Sequence, residues 1–374
     1  MGYSRPFDLT DSRPLAHAPA PSATSNKLLG LELLRFASAL AVLIYHYSHF
    51  TAIAAAPAIA ADDFPLNGLL RPFYDYGLYG VQLFWGISGY IFFWKYGSAI
   101  RSAVVSAGQF FWLRFSRLYP LHFATLIGVV GLQAVHRQLT GANFLYPATD
   151  PALFARQLIL ATDWGPQPPF SFNGPIWSIS GEVAVYAAFF ILLRQFAPSW
   201  KLCVTVIAAG LVAQLAGLDW VSIACATYFF AGGLAALAPS GSERKAAIAL
   251  TCLLFLCLAT GSLGDRDKLP MILPAAVPCL LILMTRDWRL IARLQRPVQF
   301  AGNLTYSSYL LHFPLQLLLA IAVAATGILP PLNSPALLAA YLGVTLGAAA
   351  LSYRYFELPA QQWLRQRTLK RADA

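Results

Sequence analysis

Charged side chains are scarce in this chain: Asp, Glu, Lys and Arg make up 11% of the 374 residues, while 58% are hydrophobic. No soluble domain needs that much apolar surface, and repeated runs of roughly 18 or more apolar residues mark transmembrane helices. The shortage leaves little room for a separate soluble domain and predicts an all-α, polytopic membrane protein. Acids are rarer than bases, 16 Asp and Glu against 26 Lys and Arg, for a net charge of +10. The basic residues sit in short segments between apolar runs, where they set orientation, so no nucleic-acid partner is expected. Cysteine is sparse too. The five (Cys203, Cys225, Cys252, Cys257 and Cys279) all lie in apolar segments without metal-type pairing. They read as small buried hydrophobes, and neither a disulfide framework nor a metal site is expected. The Pro-, Ala- and Ser-rich N-terminus lacks an apolar core, so it reads as a disordered tail and not as a signal peptide.

What is present is a series of apolar runs. Ten spans are expected, at about 33–53, 78–95, 117–136, 175–194, 200–218, 220–238, 245–263, 269–285, 303–326 and 335–355. With the N-terminus in the cytoplasm, only Arg71, Arg137, Arg156, Arg266 and Lys268 of the 26 basic residues fall outside. The remaining 21 lie inside, which favours an N-in, C-in topology. The expected organisation is a disordered cytoplasmic tail (1–28), a transmembrane domain (29–366) and a basic C-terminal tail (367–374). Two loops are longer than connection requires. "PALFARQLILAT" in the outer loop 137–174 reads as a short interfacial or re-entrant helix, and "SAGQFFWLRFSRLYP" in 96–116 as an interfacial cytoplasmic helix. No internal repeat is evident.

A few ionisable groups interrupt the apolar runs, and such groups tend to be functional. In "LELLRFASALAVLIYHYSHF", Arg35 and His46 are eleven steps apart. At about 100° per residue they share one helix face, roughly 16 Å apart along the axis. Taken alone, Arg35 also reads as a snorkelling, positive-inside anchor and His46 as a hydrogen-bonded core histidine. Glu182 in "NGPIWSISGEVAVY" reaches a depth of about 10 Å from the outer side, similar to that of His46. An imidazole is the partner best able to share a proton with such a carboxylate. His312 in "TYSSYLLHFPL" reaches the same level, with a structural role beside a Pro314 kink as its other reading. Arg114 and Arg117 stand i, i+3 and suit either a bidentate phosphate clamp or lipid headgroups. Gly86 and Gly89, in "GVQLFWGISGYIFF", permit close approach of a neighbouring backbone.

In order, these pieces resemble the acyltransferase-3 family of integral membrane O-acyltransferases, over about residues 29–366. Arg35 and His46 match its arginine–ten–histidine pattern. "YGVQLFWGISGYIFF" matches its second span and "LRFSRLYP" its double-arginine motif. "WSISGEVAVY" resembles its Trp-Ser-x-Ser-x-Glu element, and "GNLTYSSYLLHFP" its Tyr-x-x-Tyr-x-x-His-x-Pro element. "YRYFELPAQQWLR" is similar to its Glu-x-Pro ending. Gly181 and Val183 depart from the usual pattern, leaving Glu182 as the only acid in its motif. The resemblance implies that an acyl group, usually acetyl, moves from acyl-CoA, a co-substrate and not a bound cofactor, to a carbohydrate hydroxyl. His46 and Glu182 are then the catalytic residues, with Arg35 supporting His46 or the donor and the Arg114–Arg117 pair engaging the coenzyme A phosphates. Trp177, Ser180, Tyr306 and His312 complete the substrate-binding set. The implied setting is a bacterial inner membrane, with a polysaccharide-synthesis or export complex as a further partner. The competing reading is a proton-coupled transporter or a flippase of lipid-linked sugars, with His46, Glu182 and His312 as a relay. A third is a non-catalytic membrane subunit.

Overall fold

The computed structural model describes residues 23–53, 60–166, 170–237, 269–285, 291 and 293–372, and within them every regular element is helical. Helix α1 (Ala23–Tyr45) tightens into a 3-10 turn, His46–Ala52, at the histidine itself. A short amphipathic helix α2 (Asn67–Tyr76) leads to α3 (Gly80–Arg101) and α4 (Ala107–Thr140). Then follow α5 (Pro151–Leu158), α6 (Ile176–Gln195), α7 (Trp200–Leu215), α8 (Val221–Leu237) and α9 (Leu269–Met284). The last part holds α10 (Gln295–Asn303), α11 (Thr305–Thr326), α12 (Pro335–Ser352), a π-turn Tyr353–Glu357 and α13 (Leu358–Ala372).

Helices occupy nine of the ten expected segments, and the seventh, 245–263, lies outside the described residues. So does most of the expected N-terminal tail. Among the described residues, five helices are long and apolar enough to cross a membrane: Leu29–Ala52, Ala107–Thr140, Ile176–Gln195, Thr305–Thr326 and Pro335–Gln366. Three shorter apolar ones, Trp200–Leu215, Val221–Leu237 and Leu273–Met284, accompany them. The chain is a multi-pass membrane protein.

Two local expectations change. The interfacial helix before the third span and the span itself are one rod, α4, 34 residues and about 51 Å long. A capping box starts it: Ser106 Oγ accepts from Gln109 N, and Gln109 Oε1 from Ser106 N. Because the rod stays intact through Pro120, Arg114 and Arg117 enter the protein interior instead of lying on the interface. Helix α2 was not anticipated, its ten residues having been read as outer loop. The short helix in 137–174 does form, as α5, with Pro151 opening it and Asp150 Oδ1 accepting from Ala152 N at 2.7 Å.

Packing divides the bundle into two apolar clusters. In one, α8 is the hub, packed on α3, α6, α7 and α9. Without a water-driven hydrophobic term between lipid-embedded helices, such association depends on close van der Waals contact. Gly89 and Gly232 permit it. A β-carbon on Gly89 would collide with the Phe229 carbonyl, and one on Gly232 with that of Gly86. Phe92, Phe189 and Phe229 close this core edge-to-face at 5.4–5.6 Å, worth about 0.5–1.5 kcal/mol per pair beyond area burial. The second cluster joins the far halves of α1, α4 and α11 to α12. Helix α11 changes cluster between Leu310 and Phe313, and α1 between Val42 and Leu43. His312 lies at the first of these crossings, and His46 follows the second by about one turn. Three cysteines, Cys203, Cys225 and Cys279, are free and buried as expected; Cys252 and Cys257 are outside the described residues.

Candidate functional site

A cavity of about 400 Å³ opens between α1, α3, α4, α6, α11 and α13. Five of the residues singled out in the sequence line it: Arg35, Arg114, Arg117, Glu182 and Tyr306. Each guanidinium has its own anchor. Arg35 Nη1 donates to Glu32 Oε2 at 3.0 Å and its Nη2 to Thr305 Oγ1 at 3.2 Å. Arg114 donates to Tyr96 OH at 2.9 Å, and its guanidinium lies 4.7 Å over the Phe92 ring. Arg117 forms an ion pair with Glu357 at 2.8 Å. Glu357, 1% exposed, also accepts from Ser307 Oγ at 2.5 Å. It sits at the end of the π-turn, and such single-turn bulges concentrate at functional sites. Glu182 accepts from Tyr186 OH and Ser88, and the charges of Arg114 and Arg35 act on it.

His46 and His312 lie outside this cavity, in a separate cluster. The two rings are 4.8 Å apart, and His49 stands 4.7 Å from His46. His46 Nδ1 meets the Val42 carbonyl at 2.8 Å, and His312 Nδ1 the Tyr309 carbonyl at 2.7 Å. A carbonyl only accepts, so both rings carry hydrogen on Nδ1 and present Nε2 as a lone pair. The His312 Nε2 is buried without a hydrogen-bond partner among the described residues. Gln316 ties the cluster together: its amide donates to the His46 carbonyl at 2.7 Å, while its Oε1 accepts from His49 Nδ1 at 2.9 Å. No group of three metal-type ligands among the described residues is disposed to hold an ion.

The expected contact between Glu182 and His46 is not formed. The groups that act on His46 are His312, His49 and Val42, and those acting on Glu182 are Ser88, Tyr186 and the arginines. Similar depth did not mean facing sides, because helix rotation decides which way each side chain turns. The link between the regions is Tyr309. Its hydroxyl is 2.6 Å from Ser178 Oγ at the cavity wall, and its ring is 5.9 Å from that of His312. Tyr309 and Ser178 drew no notice of their own in the sequence, although Tyr306, Tyr309 and His312 repeat every third residue. Glu357 carried no role either; an acid closing an apolar run was its signal. His49, three residues past His46, was the corresponding signal for a second imidazole.

Trp177 and Ser180 support the site from behind. Trp177 packs edge-on against Trp85, a cavity residue, with centroids 5.8 Å apart. Ser180 holds a loop turn: its Oγ accepts from Asp163 N at 2.9 Å and its carbonyl from Trp164 Nε1 at 3.0 Å. In that turn the Asp163 carboxyl is 3% exposed, and burial pushes it up from 3.8 to about 6.

A family profile described as an acyltransferase domain matches residues 28–354. Acyltransferase MdmB of Streptomyces mycarofaciens is 30% identical over 168 residues, 44% of this chain and 38% of that protein. Protein 2 in picA locus of Rhizobium radiobacter is 29% identical over 125 residues, 29% of this chain and 62% of that protein. The chain thus spans less than two thirds of either relative. No solved structure matches it. With a profile match running from α1 into the π-turn, over the arginines, the carboxylate and the histidines alike, the chain belongs to the acyltransferase domain family.

Proposed function

We propose that the protein is a membrane O-acyltransferase that moves a short acyl group, acetyl in the simplest case, from acyl-CoA to a hydroxyl of a cell-surface or secreted polysaccharide or its lipid-linked precursor. The observation that carries this reading is the run of contacts from an arginine-lined cavity, through Tyr309 and Ser178 at its wall, to paired imidazoles, of which His312 keeps a buried Nε2 with no hydrogen-bond partner among the described residues. Guanidinium groups suit phosphates, which are held bidentately and without deprotonation. The cavity therefore receives the phosphates of coenzyme A, from the cytoplasm in the N-in topology of a bacterial inner membrane. The pantetheine arm runs inward past Tyr309. The rise along α1 from Arg35 to His46, roughly 16 Å, suits its reach.

At the far end, His46 Nε2 takes the proton of the acceptor hydroxyl as its oxygen attacks the thioester carbonyl. The C–S bond breaks, and the coenzyme A thiolate leaves with the proton returned by the imidazolium. Orientation of the imidazole falls to the Val42 carbonyl and to Gln316, not to a carboxylate. Glu182 acts from the cavity side, where it balances the arginines and holds Tyr186. The test is mass spectrometry of host surface glycans with and without the protein, together with transfer of labelled acetyl from acetyl-CoA by the purified chain. Loss of an ester of defined mass in the deletion is the expected result. Unchanged glycans and no transfer from acetyl-CoA would sink the proposal.

A further inference from the structure

Four guanidinium groups line the cavity: Arg35, Arg114, Arg117 and Arg365. Three carboxylates answer three of them. Glu32 pairs with Arg35 and Glu357 with Arg117, while Glu182 and Arg114 interact through their charges. Arg365 is left over. Its one hydrogen bond among the described residues runs from Nε to Ser116 Oγ, a neutral acceptor, at 3.3 Å. Arg114 and Arg117 repel it, Tyr96 acts in its favour, and no carboxylate is among the groups that act on it. Next to it, Arg114 Nε is buried and has no hydrogen-bond partner among the described residues. Cations gathered around a cavity with one charge unmatched and one donor unused are arranged for an anion that comes and goes.

Position gives the anion an order of entry. Arg365 stands on α13, eight residues and about 12 Å beyond the Glu357 that grips Arg117. It bonds Ser116, which stands on α4 between Arg114 and Arg117, and is itself exposed on the outside of the bundle. An exposed side chain that also lines the cavity stands at its mouth, while the buried Tyr309 lines the wall nearer His312.

We propose that Arg365, acting beside Arg114, is a binding residue for a phosphate group of the acyl donor, so that α13 is part of the donor site and not merely a tail after the last span. This rests on the acyl-CoA reading above. The shared chemistry is a phosphate ester, and a phospholipid headgroup is its other source. A charge-assisted, bidentate guanidinium–phosphate contact is worth about tenfold or more in affinity.

The test compares acetyl-CoA with acetyl-pantetheine, which lacks every phosphate, using the full chain in nanodiscs of zwitterionic lipid. Arg365→Gln is expected to lower the preference for acetyl-CoA, taken as the ratio of the two kcat/KM values, about tenfold, through KM. Arg365→Lys, which keeps the charge but not the fork, is expected to recover part of that preference. An unchanged ratio in Arg365→Gln overturns the proposal, and so does an equal fall with both donors, which marks α13 as support only. A fall seen only in nanodiscs of anionic phospholipid assigns the anion to the membrane and overturns it as well. Wild-type protein that transfers from neither donor sinks the acyl-CoA reading itself, an outcome distinct from a wild type that prefers acetyl-CoA with a variant that matches it.

Discussion

Two polar regions share the interior of this bundle, and they satisfy buried polar groups in different ways. The arginine region is built on charge. A guanidinium keeps its proton, so each one needs a carboxylate, a ring face or a ligand. Phe92 supplies that need from the cavity wall, and Glu32 and Glu357 supply it from behind the lining. The histidine region is built on neutral hydrogen bonds. There, backbone carbonyls of Val42 and Tyr309 fix the rings, and one glutamine bridges two elements. The first arrangement suits a charged molecule that exchanges with solvent. The second holds buried imidazoles in fixed orientations, a setting in which proton transfer can be matched to a reacting group. In the proposed mechanism, position along α1 and the turn that continues it separates binding from chemistry, with Arg35 assigned to the first and His46 to the second.

Substitutions at the two ends of that division are expected to fail differently. His46→Ala, which removes the proposed base, should lower the single-turnover acyl-transfer rate about 10²–10⁴-fold while coenzyme A binding by calorimetry stays intact. Equal loss of binding and rate would merge the two regions into one. Next in size is Glu357→Gln, which strips Arg117 of its buried partner. Breaking such a pair costs about 3–5 kcal/mol. It should appear as a lower midpoint in thermal unfolding and a raised donor KM, with kcat the less affected quantity.

A smaller effect is expected where the regions meet. Tyr309→Phe removes the hydroxyl bonded to Ser178, a change of about 0.5–1.5 kcal/mol. It should lower kcat for acetyl-CoA by up to about tenfold and spare the affinity for free coenzyme A. An unchanged kcat would show that the link does not carry the donor arm.

The smallest lies outside both regions. Asp163, raised to about 6 from 3.8, binds its proton more tightly folded than unfolded. Stability from this group is therefore greatest below pH 3.8 and is lost as pH rises through 6. Asp163→Asn should raise the unfolding midpoint slightly at pH 7 and not at pH 3.5, and a gain independent of pH would refute the assignment.

Much of the site was legible in the sequence because intramembrane charge is rare enough to be conspicuous. Arg35, Arg114, Arg117 and Glu182 stood out against apolar runs, and all four line one cavity. The i, i+3 spacing of the two α4 arginines fixed their common face before any fold was known. Where the reading went astray, the cause was rotation about a helix axis. Counting residues gave Glu182 a depth like that of His46, but the carboxyl faces Tyr186 and Ser88. Tyr309, Gln316 and Arg365 are common residue types whose significance lies wholly in what they touch.

The sequence by itself determined that the chain is a helical membrane protein, where most of its helices lie, and which charged groups are too costly to be incidental. Those follow from composition and helical period, which are local properties of the chain. Only the tertiary structure decided that arginines and histidines form two clusters instead of one, that Glu357 grips Arg117 across 240 residues, and that α13 lends Gln361 and Arg365 to the cavity lining. Such pairings depend on how helices turn toward one another, and van der Waals packing around small residues such as Gly89 and Gly232 settles that, not the order of residues along any one of them.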